Sequence, residues 1–223
     1  MHRRKSKKVI VYFFLLIIIS SISNNSINNF KLDKIQKINV SGLDENDNQK
    51  LLSEIKNINL KNIFFINKSE IVKLLKSNSL IEKYEVFKKY PSSINIRIVK
   101  TNFYAKINIK GKTFLIGSNG KLTLDKSDYS GLPYIFGKPN IDEFLKFKKI
   151  IDKSKFSYKQ IKDLYFFPSN RWDLRLKNDI LLKLPKNFTY ESLDYLYEFL
   201  ESYKGESFNI VDARVEKQII LNE

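Results

Sequence analysis

The chain has 223 residues and no cysteine, and its single histidine is His2. The lack of cysteine excludes a disulfide framework, so the fold depends on apolar burial and hydrogen bonding alone. It also removes thiolates, and one histidine by itself provides neither a Ser–His nucleophile nor the usual ligands of a zinc site. The sequence therefore predicts a protein that is not an enzyme, with no catalytic residue, no metal and no cofactor.

Glycine and proline are also scarce, with 7 and 5 residues, and no long Ser/Pro/Gly-rich linker is present. Any two domains must therefore abut closely. Apolar and aromatic side chains are abundant instead, because 43% of the residues are hydrophobic, with 17 Phe and 12 Tyr. This content is enough to build one or two modest cores.

Close pairs of carboxylates are the one feature that could serve acid–base chemistry. Asp44/Asp47 and Asp125/Asp128 have the residue type that glycosidases use. Solvated turns and helix caps explain both pairs better, so they do not change the prediction of a protein without catalysis.

Basic residues exceed acidic ones by 40 to 24, for a formal net charge of +16. Such an excess is typical of nucleic-acid-binding proteins when it is gathered into a stripe. Here the lysines are spread along the whole chain, and the N-terminus predicts export. Neither nucleic acid nor a small-molecule substrate is therefore predicted as a partner. Attraction to anionic lipid headgroups is a milder consequence of the same charge.

A basic cluster leads directly into an apolar segment at the N-terminus. Five cations lie within residues 3–8, and an apolar run from Val9 to Ile19 follows and trails off through Ser and Asn to Ile27. Spanning a hydrocarbon core takes about 20 helical residues, so residues 9–27 are predicted as a short transmembrane anchor. By the positive-inside rule, residues 1–8 form a cytoplasmic tail. A cleaved signal peptide is the alternative, with Ser21-Ile22-Ser23 as the nearest match to a cleavage site.

Beyond residue 30, the spacing of apolar residues predicts the order strand, helix, helix, strand, strand. Alternating Ile38 and Val40 begin it, and a turn at Ser41-Gly42 follows. The second helix opens at Asn67 with the form of a capping box. This is a compact α+β unit whose sheet buries one face beneath two helices. Its predicted buried residues are Ile38, Val40, Leu51, Ile55, Ile71, Leu74, Ile94 and Ile96.

From Phe103 onward the pattern changes to short strands and turns. Trp172, Leu174 and Leu176 alternate with charged residues, which predicts a strand with one face in water. The last strand stays apolar in its continuation, almost to the C-terminus. The predicted strands are 103–109, 113–116, 132–137, 161–167, 172–176, 180–184 and 208–215, and the predicted helices are 141–154 and one capped by Thr189.

Six segments form an ordered series after the basic tail and the single anchor: 38–42, 62–66 and 90–96, followed by 171–176, 180–185 and 210–214. The first three resemble the POTRA domain, and the last three the β-domain, of the bacterial division proteins FtsQ and DivIB. The ordered series carries the resemblance. It implies an α+β fold with an N-terminal transmembrane helix, a POTRA domain (β-α-α-β-β) over 31–101, a mainly antiparallel β-domain with helices over 102–216, and a tail over 217–223.

Two departures from the family pattern fall at the domain junction. The stretch from Lys100 to Ala105 keeps only the alanine of the family's Glu-Arg-x-Pro-x-Ala pattern. Gly117 stands where the family usually has an aspartate. Both concern details of the junction.

The resemblance implies a non-enzymatic divisome scaffold. FtsQ-like proteins gather the bitopic partners FtsB and FtsL into the septal complex. We therefore expect a single-pass protein of the bacterial inner membrane at the division septum, with its C-terminal domain in the periplasm. The alternative is a POTRA-bearing export or outer-membrane assembly factor that binds substrate strands, but such proteins usually carry repeated POTRA units or a barrel.

The resemblance also assigns partner binding to the last strands. A terminal strand with no successor presents unpaired N–H and C=O groups that a partner can complete. We therefore predict that residues 208–215 form an exposed edge, in which Val211 and Asp212 hold the strand in place. The predicted partner-binding residues are Arg171, Arg214, Val215, Glu216, Lys217 and Gln218.

Overall fold

The N-terminal helix, α1, covers Lys7–Ile22, and its apolar residues from Val9 to Ile19 are all exposed. Among the described residues, no helix combines the length and the apolar character needed to cross a membrane. Residues 23–27 of the predicted anchor lie outside the described residues. The computed structural model describes residues 7–22, 34–58, 60, 63, 66, 68–126, 129–203, 208–215 and 218–222.

A three-stranded sheet follows, here called the smaller sheet, with the strand order β1-β3-β2. Strand β1 (Lys37–Ser41) lies parallel to β3 (Ser93–Lys100), and β2 (Ile81–Lys89) lies antiparallel to β3. Helices α2 (Glu45–Lys56) and α3 (Lys68–Ser77) connect β1 to β2. The predicted order of strand, helix, helix, strand and strand is confirmed, while the predicted cap at Asn67 lies outside the described residues.

The core of this unit lies between the sheet and the two helices. Five of the eight predicted core residues are at most 1% exposed, and the other three are only half-buried. Strand β1 forms an edge of the sheet, so its inward side chains are covered less completely than those of the central strand β3. The buried five are Leu51, Ile55, Ile71, Ile94 and Ile96, and the half-buried three are Ile38, Val40 and Leu74.

The rest of the chain forms a nine-stranded sheet, here called the larger sheet, with the order β12-β11-β10-β9-β8-β7-β4-β5-β6. Five of its strand pairs are antiparallel and three are parallel, so the prediction of a mainly antiparallel sheet is confirmed. The strands are β4 (Phe103–Ile109), β5 (Lys112–Gly117), β6 (Leu122–Leu124), β7 (Tyr134–Phe136), β8 (Ile161–Phe166), β9 (Trp172–Leu176), β10 (Leu181–Lys183), β11 (Ile210–Asp212) and β12 (Ile220–Asn222).

Two helices make the crossovers of two of the three parallel pairs, while the third pair, β4 and β7, is connected through β5 and β6. Helix α4 (Ile141–Lys153) connects β7 to β8, and α5 (Tyr190–Ser202) connects β10 to β11. Each begins with a reciprocal capping box. The side chain of the N-cap residue accepts a hydrogen bond from a backbone N–H of the first turn, and the backbone N–H of the N-cap residue donates to the side chain three residues later. The N-cap predicted at Thr189 is confirmed.

Trp172 is the centre of the larger core. Its ring stacks on Phe147 with centroids 4.6 Å apart and meets Phe166 at 4.8 Å. Because Phe147 comes from α4 and Trp172 from β9, this cluster fixes the helix on the sheet. The ring pairs add about 0.5–1.5 kcal/mol each beyond their buried area.

The prediction that β9 keeps one face in water was wrong. Asp173 is only 3% exposed and Arg175 is half-buried, although both lie on the face opposite to Trp172. Strand β9 is internal to the sheet, and its register neighbours Tyr165 and Lys183 flank Asp173. Long side chains on neighbouring strands therefore cover this face without a helix.

Polar side chains join the two sheets at a place that we call the junction. The Glu82 carboxylate accepts from Ser118 Oγ at 2.7 Å and from Thr101 Oγ1 at 3.2 Å. Asn119 Nδ2 donates to the carbonyl oxygens of Ser79 and Ile81, at 2.9 Å each. Thr101 is only 3% exposed and the other three residues are half-buried, so these bonds are partly shielded from water.

Gly117 lets the side chains of Thr101 and Asn119 pack closely in the junction. A Cβ added there would lie 2.9 Å from Thr101 Oγ1 and 2.7 Å from Asn119 Oδ1, inside normal contact distances. This accounts for a residue without a side chain at the position where the family usually has an aspartate.

The junction contacts the β5–β6 side of the larger sheet. Thr123 Oγ1 in β6 donates to Ser79 Oγ at 2.8 Å, and Lys121 Nζ donates to the carbonyl oxygens of Lys76 and Asn78. Strand β12 lies at the other edge, eight spacings of about 4.8 Å away, or roughly 38 Å across the sheet. One edge of the larger sheet is thus covered by the smaller unit, and the other is remote from it.

We expect Ile55→Ala to lower the free energy of unfolding by roughly 2–5 kcal/mol, because Ile55 is fully buried and its truncation leaves a cavity. Leu52→Ala, on the half-buried side of the same helix, is the matched control and should cost less. Chemical denaturation measures both. Equal losses for the two variants would contradict the assigned buried face of α2.

Candidate partner-binding site

The predicted site residues lie around the last two strands and at the start of β9. Arg171 precedes β9 and is half-buried, while Arg214 and Val215 follow β11 and Gln218 precedes β12, all three exposed. Glu216 and Lys217 lie outside the described residues. The structure therefore places Arg214, Val215 and Gln218 in the segment between β11 and β12, with Arg171 apart from them, directly before β9.

The prediction that residues 208–215 form an exposed edge was wrong. Strand β11 is three residues long and lies between β10 and β12, so neighbours occupy both of its sides. The apolar continuation is a separate strand, β12, which turns back after Val215 and pairs antiparallel to β11. The edge of the sheet is therefore Ile220–Asn222. In the described part of the chain, β12 has a neighbour on one side only.

The register of β12 assigns its side chains to the two faces of the sheet. Leu221 lies opposite the fully buried Val211 and is itself half-buried, so it faces the helices. Ile220 and Asn222 alternate with it and are exposed. An added strand would find an apolar side chain, Ile220, on the open face of this edge.

A groove of about 700 Å³ lies beside this edge, between α5 and the loop that joins β11 to β12. We call it the partner groove. Tyr195 from α5 is 62% exposed and Val215 from the loop is 53% exposed, and these two supply large apolar surface. The full lining is Pro185, Lys186, Asn187, Ser192, Tyr195, Leu196, Ala213, Arg214, Val215, Gln218 and Ile219.

Each predicted arginine is held by an aspartate two residues away on a strand. Arg214 Nε lies 2.9 Å from both carboxylate oxygens of Asp212, and the Arg214 backbone N–H donates to the same carboxylate at 3.1 Å. Arg171 Nε donates to Asp173 Oδ1 at 3.1 Å, and its guanidinium lies 4.2 Å from the centre of the Phe167 ring. The guanidinium planes are therefore oriented before any partner arrives.

The two aspartates belong to one row of charges across three strands. Lys183 in β10 lies opposite Asp173 in β9 on one side and opposite Asp212 in β11 on the other. Lys183, Arg171 and Arg214 carry three positive charges against the two negative charges of the aspartates. The group therefore has a net charge of +1 on the strands that lead to the edge. The sequence pattern did not indicate this row, because it exists only when β9, β10 and β11 are adjacent.

The environments of the two aspartates shift their pKa values in opposite directions. The hydrogen bonds from Arg214 hold the pKa of Asp212 below its usual value, although partial burial acts the other way. Burial raises the pKa of Asp173 above its usual value, against the opposing hydrogen bond from Arg171. The ionised form of Asp212 is therefore stabilised by folding, and that of Asp173 is not.

No group of three or more His, Cys, Asp or Glu side chains able to hold a metal ion occurs among the described residues. Two exposed apolar side chains at the groove and the edge, Tyr195 and Ile220, were not among the predicted site residues. Tyr195 lies outside the segments that carry the family resemblance, so no sequence signal singled it out. Ile220 belongs to the apolar run that was read as a continuation of the preceding strand.

Asp212→Asn should lower the thermal stability at pH 7. A carboxylate whose pKa is depressed by folding contributes stability above its unfolded-state pKa, and this contribution is lost as the pH falls through the folded-state pKa. The difference between wild type and variant should therefore shrink in acid. Thermal unfolding followed by circular dichroism at neutral and acidic pH measures it.

Asp173→Asn is the matched control, because its raised pKa reverses the sign. The ionised form of Asp173 costs stability above the folded-state pKa, and this cost is relieved as the pH falls. We expect Asp173→Asn to leave the stability at pH 7 unchanged or higher. A larger loss for Asp173→Asn than for Asp212→Asn would contradict this assignment.

Comparison with known proteins gives two family matches that adjoin along the chain. The family model of the POTRA domain, FtsQ-type, matches residues 33–100. The model described as cell division protein FtsQ/DivIB, C-terminal, matches residues 98–214, which is more than half of the chain.

Among curated relatives, cell division protein FtsQ of Rickettsia bellii (strain RML369-C) is 27% identical over 172 residues. This match covers 73% of the present chain and 61% of the relative, so it spans less than two thirds of that protein. Cell division protein DivIB of Staphylococcus aureus (strain NCTC 8325 / PS 47) is 27% identical over 97 residues, or 44% of this chain and 22% of that protein.

A solved structure, the major extracytoplasmic domain of DivIB from Geobacillus stearothermophilus, is similar at a TM-score of 0.35 and 11% identity, over 48% of this chain and 97% of that one. The family matches confirm the resemblance seen in the sequence. Because the C-terminal family model covers more than half of the chain and the FtsQ-type POTRA model covers the part before it, the chain belongs to the FtsQ/DivIB family of cell division proteins.

Proposed function

We propose that this chain is a non-enzymatic scaffold of the bacterial cell-division machinery, which binds bitopic partners of the FtsB and FtsL type. Membership of the FtsQ/DivIB family supports the role in division. The observation that carries the partner site is the edge strand β12, which in the described part of the chain is paired on one side only. The alternative of an export or outer-membrane assembly factor is not favoured, because the division-family match includes the second half of the chain.

The proposal includes the arrangement of the chain in the cell. Residues 1–8 lie in the cytoplasm, and residues 9–27 anchor the protein in the inner membrane. The POTRA domain (31–101) and the β-domain lie in the periplasm at the division septum, and the β-domain extends beyond the predicted limits of 102–216 because the predicted tail (217–223) contains β12. The exposure of every apolar side chain from Val9 to Ile19 supports the anchor, since α1 has no polar face to turn toward water.

The partner adds a strand to β12 by main-chain hydrogen bonding. An exposed strand edge offers a row of donors and acceptors, and bonding them gives affinity while side-chain pockets give specificity. Ile220 provides apolar contact on the open face of the sheet. On the opposite face, the partner groove lies directly beside the edge, so one partner segment engages both.

The partner groove supplies the specificity. Tyr195 is a large, exposed aromatic side chain of the type that dominates binding energy at protein interfaces. Arg214 is fixed by Asp212, yet a guanidinium has five N–H donors, and those not used by the carboxylate remain for a partner. The groove therefore fits an apolar anchor residue with an acceptor beside it.

Proline substitutions at Ile220 and Leu221 test the edge. Successive N–H groups of a strand point to opposite sides, so one of these residues donates toward β11 and the other away from the sheet. Proline at the outward position removes a donor for the partner and is tolerated at an edge. We expect this variant to unfold like the wild type and to bind an FtsB-type partner at least about tenfold more weakly.

Ile220→Ala and Leu221→Ala are the controls, because they remove the side chains and keep both N–H groups. Binding of the partner's periplasmic segment, measured by titration calorimetry, is compared with thermal unfolding for all four variants. If the proline variant that unfolds like the wild type also binds the partner with full affinity, the interface lies elsewhere.

Tyr195→Ala should weaken partner binding by about tenfold or more, because truncation of a central aromatic anchor commonly costs 2 kcal/mol or more. Tyr190→Ala is the matched control, since Tyr190 is 43% exposed on the same helix but does not line the groove. Equal binding by the two variants would show that the groove takes no part in recognition.

A further inference from the structure

The smaller sheet has two ends of different character. At one end, β3 finishes at Lys100 beside the junction, and Lys100 bonds to Asp44 at the start of α2. At the other end, β1 begins, β2 finishes and β3 begins, and the backbone N–H of Gln36 donates to the Ser92 carbonyl at 2.9 Å. We call this second end the basic end, for the residues described next.

The basic end gathers lysines from four elements. Lys37, Ser93 and Lys89 lie in one row across the three strands, and Lys88 lies beside Ile94. Lys34 and Lys56 line one shallow pocket at the end of α2. Because α3 ends next to the junction, its first residue also lies at this end. The six lysines are Lys34, Lys37, Lys56, Lys68, Lys88 and Lys89.

The described carboxylates at the same end are Glu54 and Glu70, and among the described residues no carboxylate forms an ion pair with any of the six lysines. Four other carboxylates of the smaller unit lie at the junction end, where α2 and β2 begin: Asp44, Glu45, Asp47 and Glu82. Lys76, Lys83 and Lys100 lie at that end too and offset most of their charge. With six lysines against two carboxylates at the basic end, the positive charge of the unit is concentrated away from the junction.

Exposed aromatic side chains accompany the lysines. Phe87 is 44% exposed and Tyr90, in the turn after β2, is 58% exposed. Tyrosine is enriched where hydrocarbon meets water, because its ring is apolar and its hydroxyl is polar. Lysine with tyrosine at one end of a domain is a composition suited to a lipid headgroup layer.

The chain itself limits how far the basic end can lie from α1. Lys34 follows Ile22 by 12 residues, and an extended chain spans at most about 3.3–3.6 Å per residue, or roughly 40 Å in total. With residues 9–27 in the membrane, the basic end is the first part of the smaller unit that the chain reaches after it leaves the bilayer.

We propose that the basic end of the smaller unit docks on the anionic headgroups of the membrane that holds α1. The inference rests on the proposed membrane attachment of residues 9–27. Lysines near an anionic surface are attracted to it, and the attraction falls off within a Debye length of about 8–10 Å. Docking sets the orientation of the ectodomain, with the junction end and the larger sheet directed away from the bilayer.

The absence of cysteine allows a direct test on the full chain. Asn57→Cys places a fluorescent label at the basic end of α2, and Asn46→Cys places the same label at the other end of that helix, about 16 Å away. The labelled proteins are reconstituted into vesicles of phosphatidylcholine, alone or mixed with phosphatidylglycerol, that carry a headgroup nitroxide quencher. We expect stronger quenching at position 57 in the anionic vesicles only, with no such change at position 46.

Charge reversal supplies the matched control. The double variant Lys37→Glu/Lys89→Glu should abolish the lipid-dependent quenching, and so should high salt. The control, Lys146→Glu/Lys149→Glu on the exposed side of α4, changes the net charge by the same amount and should retain the quenching. Lys34→Glu/Lys56→Glu repeats the test if the first pair disturbs the fold by circular dichroism. Equal quenching in both lipids, or equal loss with both charge-reversed pairs, would overturn the proposal. Flotation with neutral vesicles reports membrane attachment separately.

Discussion

The junction is the contact on which the arrangement of the whole molecule depends. Glu82 accepts from Thr101 and Ser118, and Asn119 donates to the backbone carbonyls of Ser79 and Ile81, where the chain enters β2. A single hydrogen-bonded cluster therefore holds the two sheets together. Satisfied polar networks in a shielded site are directional, and removing one member leaves its partner without a bond. The junction therefore fixes orientation as well as contact.

The availability of the open edge follows from where the junction lies. It covers the β5–β6 side of the larger sheet, where side chains of β6 and of the loop before it bond to the segment that precedes β2. The strand at the opposite edge, β12, receives no such cover from the described residues. The two edges of the larger sheet thus differ in their surroundings, because β6 lies beside the smaller unit and β12 does not.

The charges reinforce the same polarity. The smaller unit is basic at the end where the chain enters and has mixed charges near the junction, and the larger sheet carries an Asp–Lys–Asp row with two arginines on the strands that lead to the open edge. In the proposed arrangement, four features follow one another with increasing distance from the membrane: the anchor, the basic end, the junction and the partner edge. Lysine and arginine residues are spread along the whole sequence, but folding gathers some of them at the basic end and in the charged row of the larger sheet.

Local patterns in the sequence determined most elements of both sheets, because alternation, helical spacing and caps such as Thr189 depend on near neighbours. The exceptions are the three-residue strands β6, which was not predicted, and β12, which was taken as a continuation of the strand before it. The local patterns also carried the family resemblance. Tertiary structure alone decided that Asp173 is buried, that β11 is internal and that β12 forms the edge. Strand order is set by contacts between residues far apart along the chain, and the local spacing of apolar residues carries no information about those contacts. For the same reason, the partner groove, formed by α5 and a loop some 20 residues later, existed only after folding.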